Sequence, residues 1–274
     1  MSDVTKLIHE YLRHNKKFPH VFCAGCGHGI VLGSLVRSVH ALKLEKDNVV
    51  IVAGIGCSGR MAVYVDFNTV HTAHGRALTF ATGIKMANPE LNVICVMGDG
   101  DALSIGGNHL IHAARRNIGI TALVLNNQIY GMTGGQCSPA TPQGDLSMTS
   151  PYGSLEQPFD TVALAKGAGA NYVARSTSFH AHQMDTLMQE AIMHPGFSML
   201  EVLSPCPTQY GRKNKFRQVV DMYNWLKKNT VKVENWTEGD PRVPRGVFQN
   251  LNRPGLEDRY AEMRQELQDK EQKK

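Results

Sequence analysis

No stretch of this chain is long and apolar enough to span a bilayer. Its apolar runs, such as Val49–Ala53 and Val93–Met97, are of strand length, well short of the ~20 residues a spanning helix needs. Met1–His14 carries polar residues throughout and lacks the apolar core of a signal peptide, so the expectation is a cytoplasmic protein with no membrane contact. Internal repeats and low-complexity tracts are absent. Charge is modest: 19% charged residues and a net +5 give no dense basic face of the kind nucleic acid demands. They would still help attract an anionic ligand or an acidic partner. Cysteines are few, six in 274 residues, and in a reducing compartment they read as thiols or metal ligands, not as disulfides.

What is present alternates. From about Gly29 to Glu201, apolar runs alternate with helical patterns, the signature of βαβ units and an α/β fold with a mostly parallel sheet flanked by helices. The spacing predicts helices over Ile30–His40, Gly75–Ala87 (ended by Asn88-Pro89), about Ser104–Arg116, Asp160–Gly167 and His180–Met193. It predicts strands over Val49–Ala53, Val93–Met97, Thr121–Leu125 and Ser198–Val202. Residues 132–158, rich in Gly, Ser, Thr and Pro, read as a functional loop or a disordered one. Past Pro207 charges become dense, both tryptophans appear, and the apolar strands are expected to stop. The chain therefore divides into a domain over residues 1–210 and a charged extension, 211–274, that packs on that domain or on a partner. Leu256, Tyr260, Met263 and Leu267 fall at helical spacing and read as a solvated terminal helix.

The most informative segment is Gly98-Asp99-Gly100, followed after 25 residues by Asn126-Asn127. Asp99 sits just past one expected strand and the asparagines just past the next, with a helix between, so the unit is βαβ. If the two strands are neighbours, about 4.8 Å apart, Asp99 and Asn127 meet at one edge of the sheet, where open α/β sheets bind ligands. A carboxylate and an amide oxygen are hard donors suited to Mg²⁺ together with phosphate oxygens. The flanking glycines permit close backbone approach to a diphosphate, and the helix that follows directs N–H groups at the anion. These residues alone point to a metal–diphosphate site without naming the cofactor.

Four of the cysteines stand at loop positions: Cys23-Ala-Gly-Cys26, Cys57 in Gly54-Ile-Gly-Cys-Ser-Gly59, and Cys206 in Ser204-Pro-Cys-Pro207. Four thiolates suffice for a [4Fe–4S] cluster. A redox disulfide, a structural zinc (whose usual signature pairs two CxxC units) and unrelated buried thiols remain open on spacing alone. Cys95, inside an expected strand, reads as a core residue, and Cys137, in the loop near the diphosphate edge, is the rival fourth ligand.

Taken together, Gly98-Asp-Gly100…Asn126-Asn127 resembles the thiamine-diphosphate signature. Cys23-x-x-Cys26-Gly-His, Gly-Ile-Gly-Cys57, Ser-Pro-Cys206, His71-Thr-Ala-His74-Gly-Arg76-Ala, Ala81-Thr-Gly-Ile-Lys85 and Thr133-Gly-Gly-Gln136 look like the motifs of 2-oxoacid:ferredoxin oxidoreductase β subunits, from about residue 18 to 212. Ala24 stands where many members have proline, and Cys137 is not a position that family uses for ligation. The resemblance implies a thiamine-diphosphate-binding fold. Asp99, the Asn127 side chain and the Ile129 carbonyl would hold Mg²⁺, with Gln128 and Tyr130 bystanders at that step. Gly56, Ser58, Gly98, Gly100, Asp101, Gly131, Met132 and Thr133 would be further cofactor contacts, and Cys23, Cys26, Cys57 and Cys206 would bind a [4Fe–4S] cluster.

It also implies oxidative decarboxylation of a 2-oxoacid with coenzyme A, or the reverse carboxylation, with electrons passing to ferredoxin. An α subunit would bring the pyrimidine half of the thiamine site, in an αβ or α2β2 assembly. The pattern is most similar to 2-oxoglutarate-specific subunits; pyruvate or another 2-oxoacid, a non-redox thiamine decarboxylase subunit, and an iron–sulfur carrier without catalysis are the alternatives. His28 and His74, in glycine-rich turns, are candidates to donate to a diphosphate or a substrate carboxylate. Arg60, three residues past Cys57, could face a second substrate carboxylate with its fork of donors.

Overall fold

A computed structural model of the chain describes residues 3–15 and 19–273. Residues 1, 2, 16–18 and 274, which belong to the N-terminal segment, the start of the family resemblance and the end of the extension, lie outside the described residues. In chain order the strands are β1 (Val49–Ala53), β2 (Asn68–His71), β3 (Asn92–Gly98), β4 (Ile120–Asn126), β5 (Ile129–Tyr130), β6 (Gln136–Cys137), β7 (Tyr172–Thr177), β8 (Ser198–Leu203), β9 (Thr230–Lys232) and β10 (Val243–Asn250). The α-helices are α1 (Asp3–Tyr11), α2 (His28–Ala41), α3 (Met61–Tyr64), α4 (Ala77–Ala87), α5 (Asp99–Leu103), α6 (Gly107–Arg116), α7 (Thr161–Gly167), α8 (Ala181–Met193), α9 (Val219–Lys228) and α10 (Leu256–Gln272).

Eight strands form one sheet in the order β2-β1-β3-β4-β8-β7-β10-β9, and β5 and β6 form a separate hairpin. Every pairing in the large sheet is parallel except β10 against β7. Because side chains alternate along a strand, β1 sends Ile51 and Ala53 into one core with Val31, Leu35 and Val39 of α2 and Leu187 of α8. Its Val50 and Val52 enter a second core with Leu78 of α4, Leu110 of α6 and Val162 of α7. A strand buried on both faces needs apolar residues at every position, which is why β1, β3 and β4 are so plain in the sequence. The α2–α8 pair on the first face is pinned by a two-pronged ion pair, Arg37 Nε to Asp185 Oδ2 at 2.7 Å and Nη2 to Oδ1 at 2.8 Å.

One expectation needs correction and two are refined. The helix expected from about Ser104 starts at Gly107, as α6, and a separate short helix, α5, runs from Asp99 itself to Leu103 before it. The break lets two glycines pack backbone to backbone, since a Cβ on Gly75 (φ +70°) would stand 2.7 Å from the Gly106 nitrogen. Nor do strands stop at Pro207: β9 and β10 follow it, and β10 extends the main sheet beside β7. The loop after β5 is structured, with Met148 N–H donating to Gly135 O at 2.7 Å and Ser154 N–H to Asp145 O at 2.8 Å.

Beyond residue 210 the chain is stitched to the domain. Asn117, which ends α6 at φ 54°, donates to Pro254 O at 2.9 Å, and Glu257 accepts from Gly119 N–H at 3.0 Å. The helix expected from Leu256 forms, with Tyr260, Met263 and Leu267 exposed along it. Among the described residues no helix is long and apolar enough to cross a membrane.

Candidate cofactor and thiol site

β3 and β4 are parallel neighbours, with Gly98 opposite Leu125, so their C-terminal ends deliver Asp99 and the Asn126-Asn127 pair to one edge. Asp99 Oδ1 accepts from the Asn127 N–H at 3.4 Å, and Oδ2 accepts from the Ser138 hydroxyl. Burial pushes the Asp99 carboxyl up to about 6; the Ser138 hydroxyl and the Asn127 N–H pull it part of the way back. A carboxylate that burial holds up in spite of these hydrogen bonds is suited to a cation.

The two asparagines diverge in task. Asn126 points its amide into the fold, donating to Glu201 Oε1 at 2.8 Å; Glu201 in turn binds Arg175 Nε at 2.5 Å, and Arg175 reaches Asp160 at 3.0 Å. Asn127 accepts the Ile129 N–H on Oδ1 at 3.2 Å, which leaves that oxygen a second lone pair. Between them and β5, Gln128 takes φ 64°, the left-handed turn that puts Ile129 back toward the edge.

An open cleft lies at this edge. Gly98, Asp99, Gly100, Asp101, Asn127 and Ile129 line one part of it, and Gly131, Met132 and Thr133 a second. Gly56, Cys57, Ser58, His28 and His74 close the remainder. Ser58 Oγ and Asp101 Oδ2 are buried without a hydrogen-bond partner, and both residues line the cleft. Orphaned polar atoms beside buried carboxylates fit a site that closes around an anion and its metal. Asp101 Oδ1 accepts from His74 Nδ1 at 2.5 Å and from the Gly75 N–H at 2.7 Å, leaving Nε2 as the His74 nitrogen available to a ligand.

Residues 54–202 match the family described as thiamine pyrophosphate enzyme, C-terminal TPP binding domain. The chain is 46% identical over 262 residues to 2-oxoglutarate synthase subunit KorB from Methanothermobacter marburgensis, covering 94% of this chain and 92% of that one. It is 53% identical over 226 residues to the subunit of the same name from Archaeoglobus fulgidus, 82% of each chain being covered. A solved structure, 2-oxoglutarate:ferredoxin oxidoreductase from Magnetococcus marinus with 2-oxoglutarate, coenzyme A and succinyl-CoA bound, superposes with a TM-score of 0.85 at 32% identity, over 95% of this chain and 90% of that one. This chain belongs to the 2-oxoacid:ferredoxin oxidoreductase β subunits.

In this β subunit the four loop thiols gather. Cys26 is pushed up to about 12, first by burial and then by the nearby thiols of Cys206, Cys57 and Cys23. Burial likewise raises Cys57, with Cys206 and Cys23 adding to it and Arg60 opposing. The Cys23–Cys26 turn is tied to the Cys206 loop by Gly27 N–H to Pro205 O at 3.3 Å and by His28 Nδ1 to Ser204 Oγ at 2.8 Å. A Cβ on Gly131 would stand 3.4 Å from Cys206 Sγ, 3.9 Å from Asn127 Nδ2 and 4.0 Å from Cys57 Sγ, so thiols and cofactor edge share one wall. Among the described residues, no three His, Cys, Asp or Glu converge closely enough to hold a single metal ion.

The other sequence candidates fall as follows. Cys95 is wholly buried in the second core. Cys137 lies opposite Ile129 in the β5–β6 hairpin, its sulfur beside the hydroxyls of Ser147 at 3.1 Å and Ser150 at 3.3 Å. Arg60 is exposed in the turn after Cys57 and does not line the cleft. His28 is buried and held down at about 4 by that burial, so at neutral pH it offers hydrogen bonds and no charge. Ser138, which holds Asp99, escaped the sequence reading, and Tyr130, read there only as a bystander to the metal, donates its hydroxyl to Gly100 O at 3.1 Å. Tyr130 follows the asparagines at a spacing that could have marked it; nothing in the spacing marks Ser138.

Proposed function

We propose that this chain, with an α subunit supplying the other half of the cofactor site, carries out oxidative decarboxylation of a 2-oxoacid, 2-oxoglutarate above others. The reaction converts 2-oxoacid, coenzyme A and two oxidised ferredoxins into acyl-coenzyme A, CO2, a proton and two reduced ferredoxins; the reverse carboxylation uses the same residues. One observation carries this reading: two of the gathered thiols and the amide of Asn127 lie within 4.0 Å of a single point beside Gly131. When bound, thiamine diphosphate supplies stabilisation of the carbanion left by CO2 loss, and a [4Fe–4S] cluster supplies an acceptor for single electrons.

The residues here do the holding. Asp99, Asn127 Oδ1 and the Ile129 carbonyl present hard oxygens to Mg²⁺, with Gly98, Gly100, Asp101, Gly56, Ser58, Gly131, Met132 and Thr133 forming the walls around the diphosphate. Cys23, Cys26, Cys57 and Cys206 bind the cluster. Four cluster thiolates each take a different iron, whereas zinc draws four onto one point. His74, steadied by Asp101, and neutral His28 offer hydrogen bonds toward the cleft, and Arg60 recognises the second carboxylate of 2-oxoglutarate when the partner folds over it. Residues 211–274 form a charged extension that packs on the domain, β10 lying against β7, and borders the partner subunit.

Anaerobic co-purification with the α subunit, followed by iron, sulfide and thiamine analysis and assays across several 2-oxoacids, tests the proposal. The expected complex is brown, carries about four irons per cluster, and oxidises 2-oxoglutarate faster than pyruvate. A colourless complex that holds thiamine diphosphate and decarboxylates without reducing an acceptor would overturn it.

A further inference from the structure

Cys206 precedes a single π-helical turn, Pro207–Gly211, after which the chain reads Arg212-Lys213-Asn214-Lys215-Phe216-Arg217. Four of these six residues are cations, and no Asp or Glu occurs between Glu201 and Asp221. In a chain of net charge +5, that is a concentrated block. Its place in the fold is beside the thiols. The Cys23–Cys26 turn packs on the start of α9, where a Cβ on Gly25 would stand 2.8 Å from Val219 Cγ2, and the Tyr223 hydroxyl donates to Gly25 O at 3.2 Å. Ala24, between the two cysteines of that turn, borders one surface depression with Arg212 and Arg217.

Exposure is graded in the same direction. Cys206 is buried, Cys26 and Cys57 are half-buried, and Cys23 is exposed. Arg212, Lys215 and Arg217 are exposed, and among the described residues none of the three is ion-paired with a carboxylate. Lys213 turns instead to the Met148 sulfur at 3.1 Å. Asp221, the next carboxylate along the chain, is committed to the cap of α9, accepting the Gln218 N–H at 2.9 Å. Among the described residues, these three cations are therefore left without a directly paired carboxylate.

We propose that Arg212, Lys215 and Arg217, beside the Cys23–Cys26 turn, form the docking surface for an acidic one-electron carrier protein. The inference rests on the proposed function, and it adds where electrons leave. Each docked carrier accepts one electron and departs reduced, so the two electrons released per 2-oxoacid require two successive dockings. Repeated docking calls for fast, weak association, and exposed cations that steer an acidic partner supply that, because such charges act on the rate of encounter more than on the lifetime of the complex. Surface cations of this kind are also the ones salt screens most.

The test uses the co-purified complex with its α subunit and the triple variant Arg212→Gln/Lys215→Gln/Arg217→Gln. The affinity for oxidised ferredoxin is measured by calorimetry at low and high ionic strength, and 2-oxoacid oxidation is measured with ferredoxin and with methyl viologen as acceptor. The expected result is a ferredoxin Kd raised about tenfold or more and nearly insensitive to salt, with viologen-linked oxidation unchanged. Arg212→Lys/Arg217→Lys keeps the affinity, as does Arg259→Gln/Arg264→Gln/Lys270→Gln on α10, which removes equal charge elsewhere. Unaltered ferredoxin affinity and salt dependence in the triple variant overturn the proposal, and so does loss of the α subunit from it, which would assign the rim to that partner. A wild-type complex that reduces no viologen refutes the parent function instead, and the binding measurement still decides the docking surface.

Discussion

Adding one methyl group at Gly100 tests how the cofactor edge is built. A Cβ there would lie 2.5 Å from Tyr130 Cζ, 2.8 Å from Cδ1 and closer still to Cε1. Ordinary carbon contacts need about 3.5 Å or more, so the ring must retreat by about 1 Å. It is not free to do so, because its hydroxyl is bonded to Gly100 O at 3.1 Å and Tyr130 pairs with Gln136 in the β5–β6 hairpin. Overpacking of this kind costs about 1–3 kcal/mol, while alanine in place of helical glycine returns about 0.5–1 kcal/mol. The net is a loss of about 1–2 kcal/mol, felt at Ile129 and Asn127 and so in cofactor affinity, where each 1.4 kcal/mol is about tenfold. Calorimetric titration of thiamine diphosphate with Mg²⁺ into cofactor-depleted αβ complex should show Gly100→Ala binding about tenfold more weakly. Gly100→Ala/Tyr130→Ala should recover most of that loss. Wild-type affinity in the single variant, or no recovery in the double one, would refute the steric argument.

Other consequences are as direct. Metal binding takes Asp99 in its charged form, and burial holds that carboxyl at about 6, so Mg²⁺-dependent cofactor affinity should climb with pH to about 6 and then level off. For the empty fold the sign reverses: the raised carboxyl contributes stability that is whole below its ordinary value of 3.8 and lost as pH rises through about 6. Titrations across that range check both, and Asp99→Asn should flatten each curve. Cys137→Ser should leave iron content and visible absorbance unchanged, whereas Cys206→Ala should strip the complex of both; equal losses would place Cys137 among the ligands. Glu201→Ala strands the buried Arg175 guanidinium and releases the Asn126 amide, and breaking such a pair costs about 3–5 kcal/mol, read as a lower denaturant midpoint. A midpoint within error of the wild type would show that Asp160 alone satisfies Arg175.

That Asp99 and Asn127 are neighbours was readable because their two strands are largely apolar and end directly at these polar residues, so spacing alone set them together. Several of the strands missed mix polarity with burial or lie at an edge. β7 ends in Arg-Ser-Thr, fully buried yet polar, because Glu201 and Asp160 satisfy Arg175. β10 contains Pro244 and Gly246, and its pairing slips between Val247 and Gln249; proline and glycine argue against a strand unless it lies near an edge. β2 is an edge strand, half exposed. The convergence of four thiols from three distant loops could not come from spacing at all, and neither could the hydroxyl that Ser138 lends to Asp99. What carried the cysteines was resemblance to a family; the coordinates supplied the contacts between their loops.

The antiparallel seam between β10 and β7 means that the charged C-terminal quarter is no detachable appendage. A chain ending near residue 211 would bare the Tyr172–Thr177 ladder along its length, an invitation to pair with another molecule. It would also deprive Arg175 of the Phe248 ring that sits 5.5 Å away. Shortened versions should precipitate or oligomerise before they lose helix, and a protease that trims only the exposed part of α10 beyond Asp258 should leave the molecule intact.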